Sequence, residues 1–562
     1  MLSFSADPAT AERQMEALIF SLTTFGYIDG DFDDAEKELI KGTIRGLVER
    51  RVDTGMPDAQ PDVRADLVAR FTTHFIERFE RIDAHVDELF HEPVAKDEDR
   101  DTFVHAKLKQ RCYELFQAFD QTNQEALLDA VDELIRADGE LHPAELKFRS
   151  ELVALLASPA EVELLEDDPS PRTAVNPVMH IPVDADHPFF QQFEYHYSAD
   201  REKIAKQISA DIQLVDDLAA HFQARAEAGK GKLDGVQTVA DLTPGSAFLD
   251  GWTHVLAPQP GEAYELTVLG DLHGCYSCLK GAVMQTRFFE KVEAYRNDPA
   301  NNPNPKLVLL GDYIDRGIFS LNGVLRTVMQ MQMQAPEHVY VLRGNHEYYV
   351  EFKGQVYGGV KPAEAINSLK PHLPVEVFRR YMALFDVMPN VLLFDRTMFV
   401  HGGIPRDRDI KERWQDLSSF NDADMRFQMM WSDPSAAGVI PAALQEQTAR
   451  FPFGQMQFAS FMQRVGCNTL VRGHEKVKEG FRRVYDDEHG LLITLFSAGG
   501  QDNADLPASS SYRGVTPMAM RLERSVDGET TITPFPIEWQ TYNDPERNAF
   551  HRRPPEIEHR VE

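Results

Sequence analysis

The stretch "LVLLGDYIDRGIFS", Leu307 to Ser320, runs an apolar segment straight into two aspartates, an arginine and two glycines. A buried strand that ends in charge presents those side chains at the sheet's edge, where ligands gather in sheets covered on both faces. The pattern recurs between Tyr264 and Ser497. There "YELTVL" leads to "GDLHG", "KLVLL" to "GDYIDRG", "HVYVL" to "RGNHE", "RTMFV" to "HGG", "NTLV" to "RGHE" and "LLITLF" to "SAGG". Short apolar, β-branched runs of this kind predict strands.

The side chains placed just past these runs are Asp271, His273, Asp312, Asn345, His401 and His474. Hard oxygen and borderline nitrogen donors without a thiolate fit a pair of divalent ions such as Mn, Fe or Zn better than a structural cysteine site. One carboxylate can bridge two ions about 3.5 to 4 Å apart, and such a pair clamps a phosphoryl group. A single histidine is more often a structural residue than a ligand, but a donor at each of several strand ends shares no such explanation.

"GDLHG", "GDYIDRG", "RGNHE", "HGG" and "WSDP" (Trp431 to Pro434), in this order, resemble the phosphoprotein phosphatase (PPP) family of metal-dependent serine/threonine phosphatases, within the calcineurin-like metallophosphoesterases. The resemblance spans about Tyr264 to Arg521, and the ordered set is far more specific than any one motif. It implies an α+β chain whose helical N-terminal region is followed by a metallophosphoesterase β-sandwich flanked by helices. It further implies that Asp271 and His273 hold a first metal, that Asp312 bridges, and that Asn345, His401 and His474 hold a second, manganese being favoured over iron or zinc. His346 would be the general acid for the leaving oxygen and Asp315 its orienter. Arg316 and Asn345 would bind the phosphate, and Arg343 would support them. The implied reaction is in-line attack of a metal-activated hydroxide on phosphoserine or phosphothreonine monoesters in proteins. A carboxylate behind a histidine raises its basicity, and a guanidinium matches phosphate oxygens in bidentate fashion.

The family carries a second phosphate-binding arginine ahead of a Phe-Gly. Here the matching region reads "TARFPFGQMQF", and Arg450 takes that place, closer to Gly454 than in the family. "SAGGQDN", Ser497 to Asn503, replaces a family segment that ends in tyrosine, which predicts loss of an aromatic from the pocket rim. Tyr348 to Leu373 reads as an insertion able to form part of a groove wall. Two rival functions stay open: a hydrolase of dinucleoside polyphosphates, and an inactive scaffold whose helical half is a binding module.

From about Glu12 to Leu156 the apolar residues recur at helical spacing. "IDGDFDDAEKELI" from Ile28 and "ADGELHPAELKFR" from Ala137 share a pattern that suggests an internal duplication, with Asp33 capping the helix of Glu36 and Pro143 opening the helix of Glu145. Asp29, Asp31 and Asp33 alternate as in a calcium loop, but Asp34 and Ile40 stand where such a loop needs glycine and glutamate. The Asp-Gly to Glu spacing, Asp29 to Glu36 and Asp138 to Glu145, resembles the helical domain of TerB-type tellurite-resistance proteins. The expected organisation is a helical domain over 1–165, a linker and helical connection over 166–262 with a helix from Ala199 to Ala228, a catalytic domain over 263–540, and a loosely held polar tail over 541–562.

The chain has 90 acidic against 58 basic residues, a formal net charge of -32. That charge repels a phosphate backbone, so nucleic acid is not an expected partner. Phosphorylated proteins are, together with a protein partner for the helical region. The start lacks the basic and apolar regions of a signal peptide and no stretch has the length of a membrane span, which predicts a cytoplasmic protein without membrane attachment. Four scattered cysteines, Cys112, Cys275, Cys278 and Cys467, fit a reducing compartment. "CYSC", Cys275 to Cys278, has no second pair and reads as helix packing.

Overall fold

The computed structural model describes residues 4–5, 7–28, 32–56, 60–90, 99–117, 119–134, 142–157, 172–183, 186–370 and 373–553. Its contacts divide the chain into two compact units: residues 1–161 with 435–454, and residues 162–434 with 455–562.

The first unit is helical, with helices Pro8–Gly26, Asp34–Gly55, Pro61–Leu89, Arg100–Gln117, Gln121–Leu134 and Pro143–Ala157. Their starts follow the sequence signals. Asp33 and Glu36 form a reciprocal capping box, the Asp33 carboxylate accepting from Glu36 N–H at 2.8 Å and the Glu36 carboxylate from Asp33 N–H at 3.1 Å. Pro143 begins its helix, and Glu145 reaches back to His142 N–H at 3.2 Å. The two Asp-Gly pairs at 29–30 and 138–139 lie outside the described residues. The core gathers Phe25, Phe79, Phe103, Leu108, Phe116 and Leu127, and it also takes Ala437, Ile440 and Leu444 from the distant segment 435–454.

The second unit is built on two sheets. One runs in the order Ala174–Val175, Thr530–Pro536, Met518–Arg524, Tyr264–Leu269, Asn304–Leu309 and Val339–Val341. The other runs Phe481–Asp487, Gly490–Leu495, Thr469–Arg472, Thr397–Val400, Val391–Phe394, Thr253–Leu256 and Ala247–Asp250. Alternate residues face each other across the sandwich: Leu266, Val268, Val308 and Met520 pack with Leu392, Phe399, Val471 and Ile493. The opposite faces of the same strands, through Leu269, Leu307, Leu309 and Val341, meet Leu279, Val283 and Val328 of the helices Tyr276–Gln285 and Arg326–Gln334. Burial on both faces explains why these strands read as unbroken apolar runs.

Two features differ from expectation. The second sheet draws the strands Ala247–Asp250 and Thr253–Leu256 from the stretch expected to be a connection, alongside the helix Arg201–Gly229. The start of the expected loose tail is pinned: Asn548 is fully buried, and the Phe550 ring lies 4.9 Å from those of Tyr276 and Phe319. One aromatic in a polar stretch suffices for an anchor, and composition alone hides it. Among the described residues no helix is long and apolar enough to cross a membrane.

Candidate metal centre and catalytic site

Strand register brings the site together. Tyr264–Leu269, Asn304–Leu309 and Val339–Val341 pair in parallel, with Leu269 opposite Leu309 and Leu309 opposite Val341, so their following loops open at one edge. Thr397–Val400 and Thr469–Arg472 are parallel in the other sheet, and Asp271 bridges to Phe496. The loops are tightly wound. His273, Asp312, Asp315, Arg316 and His474 all adopt left-handed backbone, with φ of 42°, 54°, 66°, 67° and 70°. For residues other than glycine that conformation costs about 1 to 3 kcal/mol each, and it clusters where function holds it in place. A Cβ on Gly344 or Gly473 would collide with the carboxylates of Asp312 and Asp271 respectively, so those chain crossings admit only glycine.

The donors converge. Asp312 Oδ2 lies 3.4 Å from His273 Nε2, Asp312 Oδ1 lies 3.4 Å from His401 Nε2, and Asp271 Oδ2 lies 3.8 Å from His273 Nε2. Two groups, His273 with Asp312 and His346, and Asp271 with Asp312 and His401, each bring ligand atoms within 4.8 Å of one another, and Asp312 is shared by both. His273 Nδ1 donates to the Ile314 carbonyl at 3.0 Å and His401 Nδ1 to the Leu310 carbonyl at 3.0 Å, which leaves each Nε2 as a lone pair aimed inward. Burial holds both imidazoles well below the ordinary histidine pKa, so both rings are neutral. His474 Nδ1 completes the group, its Nε2 lying 3.8 Å from Asp433 Oδ1.

Whether these residues fit divalent ions is answered by Asn345. Its side-chain oxygen sits 2.9 Å from His401 Nε2, 3.2 Å from His474 Nδ1, and 3.2 and 3.3 Å from the two Asp312 oxygens. An amide oxygen facing imidazole nitrogens and a carboxylate is disfavoured unless a cation sits between them; inverted, the two N–H bonds of the amide would have four acceptors within 3.3 Å to choose from. The Asp312 carboxyl supports the same reading, because burial and then the Asp271 and Glu347 carboxylates push its pKa well up, the mark of uncompensated negative charge. The residues present fit divalent cation binding.

His346 is set apart by its partner. Its Nδ1 lies 2.9 Å from Asp315 Oδ2, and Asp315 Oδ1 accepts from Ala365 N–H at 2.8 Å. Burial pushes the Asp315 carboxyl up to about 7. Arg316 has both Nε and Nη2 buried without a hydrogen-bond partner among the described residues. Arg343 instead works within the protein, donating from Nε to the Glu347 carbonyl at 3.0 Å and lying 5.5 Å from the Tyr348 ring. Arg450 falls in the segment 435–454 of the helical unit, where it is buried and its carbonyl accepts from Thr448 Oγ1 at 3.0 Å. A phosphate role for it rests on the sequence alone. Cys275 and Cys278 are fully buried free thiols within the core packing of the sheet and its helices.

Sequence reading missed two residues. Glu347 is fully buried, and its carboxylate accepts from Asp312 N–H and Tyr313 N–H at 2.8 Å and from Gly344 N–H at 2.9 Å, which ties two ligand loops together. Its place inside "RGNHE" was the available signal. Tyr512 puts its hydroxyl 3.5 Å from His273 Nε2 and its ring 5.2 Å from the imidazole. An aromatic is therefore present beside the site after all, supplied by a loop beyond "SAGG" with no spacing cue to announce it.

Residues 264–478 match the calcineurin-like phosphoesterase family. A probable serine/threonine-protein phosphatase of Encephalitozoon cuniculi is 25% identical over 290 residues, which cover 51% of this chain and 57% of that protein. The chain thus matches little more than half the length of this curated relative. Among solved structures, a Saccharomyces cerevisiae serine/threonine phosphatase with similarity to human PP5 superposes with a TM-score of 0.35 at 18% identity, covering 58% of this chain and 90% of that one. A cold-active protein-tyrosine phosphatase from a psychrophilic Shewanella gives a TM-score of 0.29 at 15% identity over 50% and 82% of the two chains.

Proposed function

We propose that this protein is a two-metal phosphatase that hydrolyses phosphoserine and phosphothreonine monoesters in proteins. The observation that carries this reading is the Asp312 carboxylate, one oxygen of which lies 3.4 Å from His273 Nε2 and the other 3.4 Å from His401 Nε2, with His346 Nδ1 2.9 Å from Asp315 Oδ2 nearby. Asp271, His273 and Asp312 would hold one ion, and Asp312, Asn345, His401 and His474 the other, with manganese the favoured metal. Bound there, the ions supply Lewis-acid activation of water and neutralise charge on the phosphoryl group. The remaining work falls to the chain. Arg316 grips two phosphoryl oxygens through Nε and Nη2, and Asn345 helps to place the phosphate. The Asp315 carboxylate accepts from His346 Nδ1, which turns Nε2–H toward the leaving serine or threonine oxygen. His346 gives up its Nε2 proton as the P–O bond breaks, and Asp315 stabilises the imidazolium beforehand.

Phosphorylated proteins are the substrates of this reading, and the helical unit is its candidate for recruiting a partner. The test is turnover by the purified protein of a panel of phosphoserine and phosphothreonine peptides, a phosphotyrosine peptide and diadenosine tetraphosphate. Preference for the first two supports the proposal. Preference for the dinucleotide would replace it with polyphosphate hydrolysis, and no turnover of any would favour a scaffold.

A further inference from the structure

The segment that follows "RGNHE" meets "GDYIDRG". It forms a hairpin of Tyr349–Phe352 with Gln355–Gly358 and a short helix, Glu364–Leu369. The first two residues of that helix act on two consecutive residues of "GDYIDRG". Ala365 N–H donates to Asp315 Oδ1 at 2.8 Å. Glu364 Oε2 accepts from Arg316 N–H at 3.3 Å, and Glu364 Oε1 lies 3.6 Å from Arg316 Nη1. Asp315 and Arg316 are the two adjacent residues held at φ of 66° and 67°, so the inserted segment braces a strained pair.

The grip on Arg316 is selective. Glu364 engages the main chain and Nη1, while Nε and Nη2, the edge of the guanidinium that forms a two-toothed fork, stay buried and unpartnered among the described residues. A guanidinium drawn to one side by an ion pair, with its other edge presented, has fewer orientations to give up when an anion arrives.

Resting on the phosphatase reading above, we infer that Glu364 is a positioning residue for the phosphate clamp: it holds Arg316 by its backbone N–H and Nη1 so that Nε and Nη2 are presented as a preformed fork for phosphoryl oxygens. Neither of these contacts involves a proposed metal donor. Its loss therefore weakens binding of the phosphoryl group more than it slows the chemical step.

The experiment compares manganese-loaded wild type with Glu364→Ala and Glu364→Asp, the latter too short to reach both ends of Arg316. Each is assayed for KM and kcat on p-nitrophenyl phosphate and for Ki of inorganic phosphate. The alanine variant is expected to raise Ki and KM together by about tenfold, the scale of one lost charge-assisted hydrogen bond, with kcat changed less than about threefold. The aspartate variant should move the same constants in the same direction by a smaller factor, and it remains informative if the alanine variant does not fold. Ki and KM within twofold of wild type in the folded variants, or a fall in kcat as large as the rise in Ki, would overturn the inference. A wild-type protein with no turnover would defeat the phosphatase reading instead, so the two failures are separable.

Discussion

At the scale of single residues, the leaving group sets what the site must supply. A serine alkoxide must be protonated as it departs, whereas nitrophenolate leaves unaided, and general acid catalysis is worth about 100- to 10,000-fold. His346→Asn should therefore lower turnover of a phosphoserine peptide within that range, lower turnover of p-nitrophenyl phosphate far less, and leave metal content unchanged. Equal losses on both substrates with both metals retained would show that His346 places the phosphate instead of delivering a proton. Each proposed metal donor was legible as a side chain at the end of an apolar run, because a buried strand has no other reason to stop in charge. Glu347 was not legible in the same way. Its role is to accept three backbone N–H bonds from two loops, and a carboxylate that satisfies main-chain donors leaves no mark in spacing. Tyr512 escaped for a related reason, since it meets the site only through the folding of a loop.

At the scale of elements the strand runs named in the sequence coincide with observed strands to within two residues, as with "YELTVL" and Tyr264–Leu269 or "KLVLL" and Asn304–Leu309. Burial on both faces is what made them readable. The short strand Thr253–Leu256 was less so, because "THVL" carries a histidine into the sheet. His254 is fully buried, both ring nitrogens lack a hydrogen-bond partner among the described residues, and its ring meets Tyr340 edge-on at 5.1 Å. Burial, with Arg225 and His221 adding to it, pushes its pKa well below the ordinary value. The folded state thus keeps the ring neutral while the unfolded chain takes up a proton below about pH 6.5, so stability is intact above that pH and falls as pH drops, by up to about 1.4 kcal/mol per pH unit. His254→Phe should flatten the loss of thermal stability between about pH 6.5 and pH 5. An acid slope identical to wild type would remove His254 from that account.

For the whole molecule, the informative feature is that the chain crosses between its units more than once. Residues 435–454, which follow "WSDP", give Ala437, Ile440 and Leu444 to the helical unit's core, and Lys109 Nζ donates to Gln447 Oε1 at 3.1 Å. No periodicity could reveal this, because the segment is short and its partners lie more than 300 residues away in the chain. A fragment covering 162–562 leaves those side chains without residues 1–161, and burying an isoleucine or leucine is worth about 1.5 to 3 kcal/mol. Such a fragment should self-associate. The ends of the segment meet, Ser435 N–H donating to the Phe453 carbonyl at 2.8 Å, so a short Gly-Ser linker can replace it. The fragment with the linker is expected to elute later from a sizing column than the fragment without it. Identical elution would mean that 435–454 does not depend on the helical unit for its burial.

The measurement closest to the central claim is a manganese titration of the chelator-stripped, desalted full-length protein, read as turnover of a phosphoserine peptide. If two ions share Asp312, turnover starts from background, rises with added manganese and saturates at two equivalents per chain, and Asp312→Asn stays at background throughout. Undiminished turnover in the stripped protein, or full activity of the Asp312→Asn variant, would contradict the account.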